Sequence, residues 1–305
     1  MDATPSVRLP SAEGRSGVPV RPPAPMSVRG TTFAWGSRTY VMGIVNVTPD
    51  SFSGDGLGAS GAPQDGAVAL ARRMASEGAD ILDIGGESSR PGHAEVPAEE
   101  ELRRVLPAIR AIRPELPDMP ISIDTTKVAV AEAALDAGAD VINDVWAVGP
   151  SDDMARLAAE RGVPYLLMHN RAEARYRSVV GEIVADLQRA VDRAVAVGCA
   201  WEALIVDPGI GFGKTAEQNL EVLRDLGALR VLGRPLLLGA SRKSTIGKVL
   251  DVPADQRLEG TLTLTALGVA FGADMLRVHD VLPNVRAARM ADAVIRGGWH
   301  EEAHR

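Results

Sequence analysis

A single cysteine, Cys199, stands in 305 residues, too few for a disulfide framework or a cysteine-rich metal centre within one chain. In its VGCAW setting it reads as a small buried apolar residue near a helix end. Long hydrophobic runs are missing as well. No segment approaches the length that spans a bilayer, and residues 1–30 contain no apolar core of a secretory signal. An excess of positive charge is the third absence: the net charge is −7, with lysine and arginine scattered rather than striped. That removes the electrostatic footprint expected for nucleic acid or an anionic membrane. The expectation is a cytoplasmic protein with small-molecule partners, no nucleic acid and no membrane.

What is present is a rhythm. Short β-branched or leucine-rich runs recur eight times, at 40–46, 80–85, 120–124, 140–144, 164–168, 203–207, 234–239 and 274–278, each followed by a helix-like stretch. This alternation predicts an α/β fold, a (β/α)8 TIM barrel, for which about 250 residues is the usual length. Parallel strands covered on both faces are nearly continuous apolar runs, so Asn46, Asp124, Asn143, Asp207 and Arg277 are misplaced for packing. They are well placed at strand C-termini, the rim where barrels carry their chemistry.

Helices are expected at 65–77, 98–113, 127–137, 151–161, 178–198, 216–227, 255–271 and 283–296. Three of them end in Gly-Ala-Asp, at 78–80, 138–140 and 272–274, where glycine supplies the left-handed turn that closes a helix. Those aspartates belong to the rim opposite the active site. Residues 1–30 read as a disordered leader, and 31–300 as one barrel domain, with 31–39 forming a short β-hairpin around Gly36-Ser37. The connections 47–64, 86–97 and 169–177 are long and polar, as functional loops are.

The strongest local motif is DPGIGFGK, 207–214, directly after the sixth run. Its glycines let backbone approach a ligand, and an acidic first residue argues against a simple phosphate cradle. Other polar residues keep a second reading open: Asp124 precedes a helix and suits an N-cap, while Asn143 and Asp144 suit turn formation. Met168 suits ordinary core as well as an apolar wall.

DPGIGFGK is joined in order by NVTPDSFS (46–53), GGESSRPG (85–92), SIDT (122–125), IND (142–144), LLMHNR (166–171), GASRKS (239–244) and RVHD (277–280). Together these strings closely resemble the dihydropteroate synthases of bacterial folate biosynthesis, over residues 40 to 297. The resemblance implies joining of 4-aminobenzoate to dihydropterin pyrophosphate, with Mg²⁺ assistance, in a homodimer built on late helices. It implies that Asp207 accepts the paired N–H donors of the pterin edge, with Asp124 and Asn143 around the same ring and Met168, Phe212 and Gly239 lining it. Lys243 bridges the two substrate regions and Ser244 meets the benzoate carboxylate. Arg277 and His279 hold the diphosphate, and Asn46 meets the Mg²⁺ that it carries. Arg242 is expected in a structural salt bridge.

Two early loops complete the resemblance. Ser89, Arg90 and Pro91 border the aminobenzoate, with serine where threonine is commoner, and Phe52 covers it. The run Gly54-Asp55-Gly56 departs from the commoner Asp-Gly-Gly by one position, which bears on loop closure. Two other readings compete: a corrinoid methyltransferase on the same barrel, which has no reason to carry Arg277 with His279, and a non-enzymatic pterin-binding paralogue.

Overall fold

The structure, a computed structural model, describes residues 22–48, 63–87 and 96–297. Phe52, Ser89, Arg90, Pro91 and the 54–56 run lie outside the described residues. An antiparallel pair, β1 (Met26–Val28) and β2 (Thr31–Phe33), precedes the barrel strands β3 (Tyr40–Asn46), β4 (Ile81–Gly85), β5 (Ile121–Asp124), β6 (Val141–Asp144), β7 (Tyr165–Met168), β8 (Leu204–Asp207), β9 (Leu237–Leu238) and β10 (Met275–Val278). These eight pair in parallel in the order β8-β7-β6-β5-β4-β3-β10-β9. A parallel bridge from Val206 to Leu236 brings β9 back to β8 and closes the ring. The helices between them are α1 (Pro63–Ser76), α2 (Ala98–Glu115), α3 (Val128–Ala137), α4 (Asp153–Arg161), α5 (Val179–Ala196), α6 (Ala216–Arg224), α7 (Ser244–Leu250), α8 (Leu258–Ala270) and α9 (Val281–Ile295). None is long and apolar enough to cross a membrane.

The period-two alternation of strands separates two cores. One residue of each pair, such as Val41, Leu82, Ile123, Ile142 and Val206, packs outward against the helices. The other packs inside the ring, where Met42, Ile81, Val141, Leu166, Ile205, Leu237 and Met275 form the lower barrel core. The first hairpin plugs that end with Met26, Val28, Phe33 and Trp35. Phe33 stacks on Trp35 with centroids 5.3 Å apart, and Tyr40 meets Phe33 edge-on at 4.9 Å.

Three departures from the expected layout have local causes. The hairpin turns at Arg29-Gly30, with Arg29 at φ 51°, rather than at Gly36-Ser37. Gly36 instead serves a turn in which Ser37 donates to the Ala34 carbonyl, so the segment excluded as leader reaches too far and Met26–Val28 is strand. The run 234–239 contributes only Leu237–Leu238, since Pro235 has no N–H for the ladder. An unexpected helix, α7, follows Lys243 directly.

The Gly-Ala-Asp turns behave as expected. Gly78, Gly138 and Gly272 take φ of 98°, 114° and 98°. Each following aspartate then accepts the N–H of a neighbouring strand: Asp80 from Val41, Asp140 from Ile121 and Asp274 from Leu236. They anchor the rim remote from the site.

Candidate active site

Two residues above the apolar layer of Ile81, Val141, Ile205 and Met275, the same four alternate strands turn Asp83, Asn143, Asp207 and Arg277 inward. The barrel interior therefore switches from hydrocarbon to charge within one layer. Arg277 donates from Nε to Asp83 Oδ2 at 2.6 Å and from Nη2 to Asp124 Oδ2 at 2.6 Å. Asn143 Nδ2 donates to the same Asp83 oxygen at 3.1 Å. Burial alone would lower the Arg277 pKa, but Asp83 and Asp124 reverse this and raise it, so the guanidinium stays charged. Asp124 is pushed up to about 7 by burial, against Arg277, with Asp83 and Glu101 adding to the rise. Burial, with a second carboxylate on the same guanidinium, favours a proton on Asp124.

Asp207 ends β8, where Oδ1 accepts the Gly209 N–H at 2.7 Å. Burial raises it to about 6, opposed by that N–H and by Lys243, Arg277 and Lys214. Gly239 leaves room beside it: a methyl group there would sit 3.5 Å from Asp207 Oδ2 and 3.9 Å from Arg277 Cβ. The 207–214 loop then turns through Gly209, Gly211 and Gly213, all at positive φ. Phe212 faces Lys243, whose Nζ lies 4.0 Å from the ring centroid. Asn143, Met168, Asp207, Phe212, Gly239, Lys243 and Arg277 line one cleft, joined by Val145, Gly209 and Ile210. Seven of the expected positions thus converge on one cavity.

His279 follows β10. Its Nδ1 lies 3.0 Å from Ser241 Oγ, which also accepts the His279 backbone N–H at 3.2 Å. Ser241 therefore ties down both the ring and the backbone of His279, leaving Nε2 as the ring nitrogen turned away from that hydroxyl. Burial, reinforced by Arg277 and Arg242, lowers His279 to about 3, so it is a neutral donor at ordinary pH. Ser244 is the exposed first residue of α7. Asn46 is half-buried at the end of β3, in register with Gly85. Arg242 makes the expected salt bridge, from Nε to Asp280 at 2.9 Å.

The alternative readings resolve locally. Lys127, not Asp124, occupies the N-cap of α3, while Asp124 holds Arg277. Asp144 points outward, accepting from Tyr165 Oη at 2.7 Å and from the Trp146 N–H at 2.8 Å, which is the turn role. Asp83 was not among the expected site residues, although an ionisable group inside DILDIG, in phase with Ile81 and Gly85, was a legible signal. Also unforeseen is a cluster at the foot of the second long loop, where Lys127 Nζ binds Glu87 at 2.5 Å and the buried Glu101 at 2.9 Å.

Among the described residues no group of three His, Cys, Asp or Glu could hold a metal ion. The expected metal contact, Asn46, is a lone neutral amide. Such a donor fits Mg²⁺ only when diphosphate oxygens and water complete the shell, which is how that ion prefers to bind.

The profile described as pterin binding enzyme matches residues 42–279. A dihydropteroate synthase of Clostridium beijerinckii is 48% identical over 272 residues, covering 89% of this chain and 100% of the relative. One from Bacillus subtilis is 46% identical over 271 residues, covering 88% and 94%. Among solved structures, the Clostridium difficile dihydropteroate synthase crystallised in the presence of pteroic acid is 49% identical, with a TM-score of 0.82 over 87% of this chain and 99% of that one. The Xanthomonas albilineans enzyme in complex with 7,8-dihydropteroate is 42% identical, with a TM-score of 0.77 over 84% and 94%.

Proposed function

Because this chain belongs to the pterin binding enzymes, as a dihydropteroate synthase of folate biosynthesis, we propose how its residues divide the work of that condensation. A pterin is joined to 4-aminobenzoate by a transferase step, with pyrophosphate leaving the 6-hydroxymethyl carbon. Asp207 accepts the paired N–H donors of the pterin edge, Asn143 and Asp124 meet the same ring, and Met168 and Phe212 supply its apolar walls. The observation that carries this reading is the convergence of Asn143, Met168, Asp207, Phe212, Lys243 and Arg277 on one cleft.

Diphosphate is a good leaving group at a ring-conjugated CH₂, so an SN1-like departure leaves a pterin cation facing Asp124 and Asp207. Among the described residues Nε and Nη2 of Arg277 serve Asp83 and Asp124, so Nη1 is the nitrogen that would meet a diphosphate oxygen. His279 adds a neutral imidazole whose ring is oriented by Ser241. Lys243 spans the pterin wall and the aminobenzoate side and Ser244 receives the benzoate carboxylate, while the sequence resemblance gives Ser89, Arg90 and Pro91 the border of that substrate and Phe52 its cover. The aromatic amine, neutral near pH 7, attacks the cation to form the C–N bond, and the acidic proton that its nitrogen then carries passes to the departing diphosphate or to water, so no strong base is needed. Asn46 would hold Mg²⁺ on the diphosphate, where the ion offsets negative charge.

The chain works in the cytoplasm. It pairs as a homodimer through α8 and α9, which present Leu267, Met290, Val294 and Ile295 to solvent, the last three at 65%, 69% and 41% exposure. The deciding experiment mixes the protein with dihydropterin pyrophosphate, 4-aminobenzoate and Mg²⁺ and follows pyrophosphate. Release that requires both substrates supports the assignment. Pterin binding without release identifies a non-enzymatic paralogue.

A further inference from the structure

Lys214 closes the 207–214 loop, yet its ammonium turns back under that loop. Nζ donates to the carbonyls of Gly209 and Phe212, each at 3.0 Å, and lies 3.1 Å from His169 Nδ1. The fully buried His169 ring is held in turn by Asp186, with Nε2 to Oδ2 at 3.1 Å. Asp186 is fixed by Arg171 through Nε at 3.0 Å and Nη2 at 2.6 Å. Each acceptor of the ammonium is therefore anchored to a different piece of chain: the start of the loop, its aromatic tip and the end of β7.

Those carbonyls belong to residues that shape the pterin end of the cleft. Gly209 gives its N–H to Asp207, and Phe212 is the ring beneath Lys243. Gly209 and Gly213 also press on β7's continuation so closely that a methyl group would lie 1.9 Å from the His169 carbonyl oxygen and 2.2 Å from that of Arg171. The loop is thus pinned by contact at two glycines and by one ammonium between them.

Resting on the functional reading above, we propose that Lys214 is a positioning residue for pterin: by tying Gly209 and Phe212 to His169, it holds the Asp207 carboxylate and the Phe212 wall in the geometry that the ring requires. It touches no substrate itself. The groups facing its ammonium are Asp207, Arg171, Lys243, Asp186 and His169. Burial lowers Lys214 to about 7, with Asp207 and Asp186 opposing and Arg171 and Lys243 adding to the fall. A neutral amine has two N–H donors for three acceptors, so the tether loosens as pH rises through that value.

The test uses the full chain and its Lys214→Met variant, which keeps the stem and removes the charge. Two quantities are measured: binding of 6-hydroxymethyl-7,8-dihydropterin pyrophosphate, and the Michaelis constant of the aminobenzoate substrate at saturating pterin. The pterin Kd rises about tenfold, one charge-assisted bond's worth, while the aminobenzoate Michaelis constant stays level. A folded variant with unchanged pterin Kd overturns the proposal. Should the variant not fold, Lys214→Gln, which keeps a polar donor without the charge, is measured in the same way, and an unchanged pterin Kd in that variant overturns the role of Lys214. An unaltered chain that binds no pterin overturns the functional reading and this proposal with it. Tight binding by parent and variant alike overturns only the latter.

Discussion

Asp83 and Arg277, 194 residues apart in sequence, meet at 2.6 Å inside the barrel, with side-chain exposures of 0% and 14%. The Asp83 oxygen that takes Arg277 also takes Asn143, while its other oxygen, Oδ1, has no hydrogen-bond partner among the described residues. One buried atom therefore orients two residues of the cleft.

Asp83→Asn should expose that dependence. Removing one partner of a buried ion pair costs roughly 3 kcal/mol, which in a chain of this size lowers the melting temperature by about 5 °C. The kcat/KM for pterin should fall at least about tenfold, since Arg277 and Asn143 both lose their guide. Unchanged melting and turnover would show that Arg277 is held by Asp124 alone.

The raised carboxylates set an acid limit on activity. Asp207 titrates at about 6 and the Asp124 site at about 7, so kcat/KM for pterin should drop as pH falls through that range. Stability runs the other way for these groups. A carboxylate whose folded pKa exceeds its ordinary 3.8 contributes stability below 3.8 that is lost as pH rises through the folded value. Asp207→Asn should therefore melt higher than the parent at about pH 8, with the gap closing toward about pH 4, while pterin turnover collapses. His279 and His169, lowered to about 3 and about 4, have the opposite sign: their contribution is present above 6.5 and lost as pH falls. A melting gap for Asp207→Asn that does not change with pH would contradict the burial of a charge at Asp207.

Two glycines separate close approach from backbone freedom. Gly209 and Gly198 both have positive φ, 67° and 110°. A methyl group at Gly209 meets the His169 oxygen at 1.9 Å, whereas one at Gly198 meets only Ala159 Cβ at 3.6 Å. Gly198→Ala should cost about 1–2 kcal/mol, the left-handed penalty, and leave turnover intact. Gly209→Ala should cost more and abolish pterin binding, read by thermal melting and titration. Equal effects in both variants would show that contact with the His169 carbonyl carries no weight.

The proposed pairing of subunits makes its own prediction. Val294→Glu on α9 places a charge in the exposed apolar stripe, and light scattering should show half the parent's mass with the melting curve lowered by loss of the interface. A parent already monomeric at micromolar concentration would end that reading.

Much of this was legible in sequence because the barrel writes its chemistry at fixed places. Asn143 and Asp207 interrupt apolar runs near strand ends, and each faces the cleft. Asp83 escaped because it sits inside a run rather than at its end, although its phase with Ile81 declares the inward side. The Lys214 and His169 contact escaped for a different reason: it joins side chains 45 positions apart, Nζ to Nδ1, and no spacing rule encodes that. The hairpin was misplaced because Gly36-Ser37 looks like a turn and is one, while Arg29 adopts a conformation seldom seen outside glycine and asparagine. Helix α7 is short enough to hide behind the motif that precedes it.

The aromatic stopper formed by Phe33, Trp35 and Tyr40 has a kinetic corollary. With that end sealed by packed rings, whatever enters the cavity retreats through the same doorway, since the described residues leave no back exit to relieve congestion. A lingering product therefore obstructs the next arrival, and clearance of that passage sets an upper bound on how fast the cycle can repeat.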